Sequence, residues 1–130
     1  MLPLLTGRST LGIQYSIDVD RRVVITRISG TIRRRDLVLF FRDLTSNPRF
    51  DSSFCEFTEI EADATGELSF ADLDRAGRID PFSEASLRAV AVHADVDFGV
   101  ARIYEVLHGG KIQVFRSVRE AKTFLGLPME

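Results

Sequence analysis

Tryptophan is absent from this chain, and cysteine occurs once, at Cys55. A lone thiol cannot close a disulfide within the chain, which excludes a disulfide-stapled scaffold and suits a reducing compartment. Apolar runs are short, and none approaches the ~18 residues that a membrane-spanning helix needs. The opening MLPLLTGRSTLG has neither a basic start nor an adequate apolar centre, so no signal peptide is expected and the location expected is cytoplasmic. A large charge excess is missing too. With 17 basic and 19 acidic residues the net charge is −2, which gives no general electrostatic reason to expect nucleic acid or an anionic membrane as partner. There is no G-x-S-x-G elbow, no Gly-rich phosphate loop ending in Lys-Ser or Lys-Thr, and no H-E-x-x-H pair. The expectation is a chain with no catalytic set, no metal and no cofactor.

What is present is the composition of a folded domain. Of 130 residues, 45% are apolar and 28% charged, enough to bury roughly two thirds of the unfolded surface. Residues 1–11, with Pro3, Gly7, Ser9 and Thr10 in no period, are expected to be a flexible leader to one domain over 12–127. Ile13, Tyr15, Ile17 and Val19 alternate with polar residues as in a strand with one wet face. Asp20-Arg21 then turns into the β-branched run Arg22–Ser29, giving a hairpin. Leu37, Phe40, Phe41 and Leu44 recur at helical spacing and predict a helix over about Arg34–Thr45, ending before Asn47-Pro48. A strand over Phe54–Ile60 follows, with Glu56 and Thr58 on its polar side. A second helix is capped by Ser69 and Asp72 and stopped by Pro81.

Leu87–His93 is the most apolar run and suits a parallel strand buried on both faces. Asp97 is a natural N-cap and Gly109 a natural stop for a helix over Phe98–His108. Lys111–Arg116 is the last strand, and Ser117 with Glu120 caps a last helix whose Val118, Ala121 and Leu125 face inward. The order is therefore β-β-α-β-α-β-α-β-α. It predicts a single-domain α/β fold with a mainly parallel five-stranded sheet. If the strands lie in sequence order, right-handed crossovers put the helices mostly on one face. Gln14, Ser16, Glu56, Thr58, Lys111 and Gln113 would then leave the other face half polar.

Four stretches, ISGTIRRRDL, SNPRFDSSF, FGVARIYEVL and VFRSVREAKTFLG, together with this order, resemble the SpoIIAA-like fold of STAS domains and Sec14-type lipid carriers. The chain looks most like small stand-alone bacterial STAS/SEC14-like proteins. The resemblance implies a non-catalytic regulatory module working through a protein partner or as a homodimer. The alternative it implies is a small-ligand or lipid-type carrier, with a pocket near Phe57, Phe82 and Phe98. In STAS phospho-switches a serine follows the strand before the second helix. Here that turn, Glu59–Gly66, holds no serine, and Thr65 is the one hydroxyl that stands in. Asp51-Ser52-Ser53 has the acidic–serine look but precedes the strand.

Candidate ligand or partner residues gather at the carboxyl end of Leu87–His93, the edge where open parallel sheets bind ligands. They are His93, Asp95, Asp97 and Arg102, with Glu59 and Thr65 from the neighbouring turn. An enzyme, the third reading, would need His93, Asp95 and Arg102 to converge in a cleft. His93 and His108 are the two imidazoles, short of the about three or four ligands a zinc site uses. Glu59, Glu61, Asp63 and Glu67 offer paired carboxylates with no histidine near them in sequence. Arg33, Arg34 and Arg35 open the first helix, as a solvated face offset by Asp36 or as an anion or partner contact. Cys55 is expected to be a buried, inert thiol.

Overall fold

The computed structural model describes residues 7–8, 12–67, 69–93 and 112–128. The described strands are β1 (Gly7–Arg8), β2 (Ile13–Asp18), β3 (Val23–Ile28), β4 (Thr31–Arg33), β5 (Cys55–Ile60), β6 (Thr65–Glu67), β7 (Arg88–Val92) and β8 (Ile112–Phe115). The described helices are α1 (Arg34–Ser46), α2 (Phe70–Arg78) and α3 (Val118–Leu125). The expected helix over Phe98–His108, with its caps Asp97 and Gly109, lies outside the described residues. Among the described residues, no helix is long and apolar enough to cross a membrane.

The fold is α/β, and its main sheet runs β1-β2-β3-β5-β7-β8. β2 and β3 form the expected antiparallel hairpin, with Ile13 opposite Ile28 and Asp18 opposite Val23. Its turn is longer than Asp20-Arg21: residues 19–22 close with Arg22 N donating to Val19 O, and Arg22 takes a left-handed φ of 56°. From β3 onward the pairing is parallel, β3 with β5, β5 with β7 and β7 with β8. Strand pairing here follows sequence order, as alternating strands and helices favour.

Two small elements add to the expected order. Gly7 and Arg8, inside the stretch expected to be a loose leader, pair with Tyr15 and Gln14 as an edge strand. β4 and β6 form a separate parallel ribbon, with Thr31 opposite Thr65. Three-residue strands are too short to show a period, which is why the pattern did not disclose them.

Strand periodicity sorts the main sheet into two faces. On one, Ile13, Tyr15 and Val24 pack with Phe40, Phe41 and Leu44 of α1, Ala76 of α2, and Phe54 and Phe82. Gly12 sits so close to Ser29 O and Ile32 that a Cβ there would lie 2.8 and 2.7 Å from them. On the other face, Val23, Phe57, Ala89 and Ala91 pack with Ala121, Val118 and Leu125 of α3. The described helices are thus split: α1 and α2 lie on one side and α3 on the other. The handedness rule constrains helices that cross between parallel strands. α3 follows the last strand, is no crossover, and is free to seal the opposite face.

The register corrects one expectation about polarity. Glu56 and Thr58 point to the α1 side, where they are 6% and 5% exposed, and not to a wet face. Glu56 is tolerated because Arg88 Nε donates to its Oε1 at 2.8 Å. Arg88 also meets Asp80 Oδ2 at 2.7 Å and lies 4.5 Å from the centre of the Phe82 ring. This buried trio ties the segment before β7 to the middle of the sheet.

Helix ends follow the local chemistry. Asp36 Oδ2 accepts from Arg33 N at the start of α1, and Ser69 and Asp72 form the expected reciprocal box at α2. At α3, Ser117 Oγ accepts from Glu120 N, and Gly126 takes the left-handed cap at φ 74°.

Candidate functional site

All parallel strands end at one edge, and there β3, β5 and β7 run side by side. Alternation puts Arg27 of β3 and Glu59 of β5 on the α3 side of the sheet, with Glu61 one step past the end of β5. His93 directly follows β7. Ile60 is opposite both Ile28 and Val92, so these four residues meet across three adjacent strands.

His93 Nε2 is 2.8 Å from Glu59 Oε2. An ionised carboxylate can only accept, so the imidazole donates through Nε2–H. Arg27 reaches both carboxylates, with Nε 2.7 Å from Glu61 Oε2 and Nη2 3.9 Å from Glu59 Oε1. The Arg27–Glu61 approach is out of line for a hydrogen bond. Glu61 Oε2 is closed off from solvent and has no hydrogen-bond partner. The side chains of Glu59 and Glu61 are 21% and 30% exposed, those of His93 and Arg27 38% and 63%. The quartet is a rim cluster, anchored on the sheet and open to water on its outer side.

Of the residues singled out in sequence, Glu59 and His93 are brought into contact. Asp95, Asp97 and Arg102 lie outside the described residues. Thr65 belongs to β6, in the β4–β6 ribbon and not in the main sheet. Arg33 is the residue before α1, Arg34 and Arg35 form its first turn, and all three are exposed with the Asp36 carboxylate among them. Asp51 accepts from both Ser53 N and Ser53 Oγ, which holds its carboxyl below the usual carboxylate range. That local turn lies ahead of β5, apart from the strand-end edge. Cys55 opens β5 and is half-buried, packed against the α3-side core.

Arg27 was not picked out by sequence reasoning, and Glu61 was weighed only as part of an acidic turn without a histidine. The histidine is supplied by tertiary structure, since Glu59 and His93 are 34 positions apart and meet through parallel pairing. The one local signal was the spacing of Glu59 and Glu61, two apart and therefore on one side of the chain.

Chemically, the edge offers an oriented imidazole, two partly desolvated carboxylates and one guanidinium. It can bind a cation or a group carrying donors, and it can hold a partner's charged side chains. Comparisons with family models, with curated proteins and with solved structures found no match.

Proposed function

We propose that this chain is a non-catalytic, STAS-like regulatory module that acts through protein contacts, first of all with a second copy of itself. One observation carries the reading, the unequal covering of the sheet. Among the described residues, α3 closes the β5–β7 half of its face, while Gln14, Ile25 and Arg27 on the β2–β3 half are exposed and Ser16 is only half-buried. Ile25 is 38% exposed and Val19, in the adjoining turn, 49%. An apolar side chain framed by polar neighbours has the make-up of a small, reversible interface. A two-fold arrangement would set this patch against itself.

The carrier reading has less support. Phe57 packs on the α3 side and Phe82 on the α1 side, so they cannot line one pocket. The test of the leading reading is sedimentation velocity on the chain and on Ile25→Arg. The expected result is a concentration-dependent dimer that becomes monomeric in the variant, which keeps the wild-type far-UV circular dichroism spectrum. A chain that stays monomeric at its highest soluble concentration removes self-association from the proposal.

A further inference from the structure

The strand-end quartet holds more than a recognition edge. Glu59, Glu61 and His93 each present one ligating atom, and these atoms all lie within 4.8 Å of one another. Two carboxylate oxygens and an imidazole nitrogen are a mixed oxygen–nitrogen donor set. It suits zinc and its first-row neighbours better than calcium or magnesium, which prefer oxygen throughout.

We propose that Glu59, Glu61 and His93 bind a divalent transition-metal cation, Zn²⁺ for choice, and that Arg27 is the resident cation it displaces. Zinc bonds to these atoms are about 2.0–2.2 Å, so ligands around one ion stand roughly 3.4 Å apart. His93 Nε2 and Glu59 Oε2 are already closer than that, at 2.8 Å, and the proton on Nε2 moves to Nδ1 through solvent as the ion takes its place. Glu61 needs a modest side-chain rotation from its position on the same side of the sheet.

Charge and hydrogen bonding favour the same exchange. Two carboxylates facing one guanidinium leave the cluster at −1, whereas a divalent ion in place of Arg27 makes it neutral. Glu61 Oε2 is sealed from water and has no hydrogen bond. Its charge is met by the Arg27 guanidinium at 2.7 Å, and a divalent ion in that place would meet it with twice the charge. Arg27 is 63% exposed and can turn into solvent at little cost. The sheet fixes the backbones of Glu59 and Arg27, and the three side-chain ligands found among the described residues are one short of the four that zinc commonly takes.

The test is isothermal titration of the full chain, free of any affinity tag, with zinc chloride. One saturable site is expected. Loss of an outer-shell group alone costs about 10- to 100-fold in metal affinity, so His93→Ala and the isosteric Glu61→Gln are each expected to weaken binding at least about tenfold. Arg27→Gln is expected to tighten it. Far-UV circular dichroism of the metal-free variants checks that each is folded. The absence of a saturable site overturns the proposal, as does wild-type affinity in both His93→Ala and Glu61→Gln. Unchanged affinity in Arg27→Gln overturns the exchange with the guanidinium. Sedimentation of the same samples with and without zinc separates this site from self-association, since either can fail while the other stands.

Discussion

Glu56 and Glu59 lie three positions apart on β5 and meet opposite environments. Glu56 faces α1 and is buried against Arg88, while Glu59 faces the α3 side at the rim and holds His93. Removing one member of a buried ion pair leaves its partner charged and without compensation, at a cost of about 3–5 kcal/mol. Arg88→Met is therefore expected to lower unfolding stability by about that amount. Urea denaturation should show a lower midpoint and an unchanged slope. Tyr15 carries a second residue-scale consequence. Its phenol is buried, donates to Asp43 and accepts from Asn47, and burial followed by the Asp43 bond pushes it up to about 12 from 10.0. A raised value means that the fold prefers the protonated phenol. That contribution is complete below pH 10.0 and is lost as pH rises through about 12. Alkaline spectrophotometric titration should show one tyrosine ionising late, and Tyr15→Phe should abolish that step. The burial of Glu56 and the rim position of Glu59 were not legible in the sequence, because β5 alternation alone does not say which face a helix will cover.

At the scale of elements, local chemistry was a good guide wherever the signal is itself local. The stripe Leu37, Phe40, Phe41, Leu44 and the caps Ser69, Asp72 and Ser117 place their helices to within a residue or two, since each acts within a single turn. The side on which α3 docks was not legible, because it depends on which sheet face already has cover. Its backbone hydrogen bonds, among the described residues, are all internal to the helix and its cap. Packing of Val118, Ala121 and Leu125 holds it to the sheet. An element held in this way opens at lower cost than the strands beneath it. Native-state hydrogen exchange is expected to show α3 amides less protected than those of β3, β5 and β7. Ser117→Ala, which removes a cap worth about 1 kcal/mol, should widen the gap.

At the scale of the molecule, the α/β class and the mainly parallel sheet were legible from alternating strand and helix patterns. The strand-end edge was legible too, as the place where such sheets keep their polar groups. Its membership was legible only in part: Glu59 and His93 were named but Arg27 was not, because it joins them through the register of adjacent strands. Both experiments on function belong to this scale. Ile25→Arg asks whether the open half-face is an interface, and zinc titration asks what the edge holds.

The small ribbon carries one more consequence. β4 leads directly into α1, and β6 is followed within three residues by α2, so parallel pairing brings the starts of the two helices together. Each helix start carries about half a positive charge from its aligned peptide dipoles. Setting two such ends beside each other, with three arginines at one of them, builds repulsion into that corner. Asp36 and Asp72 stand at the third position of their helices and return negative charge where the dipoles converge. These two carboxylates thus help the ribbon hold two helices that would otherwise push apart.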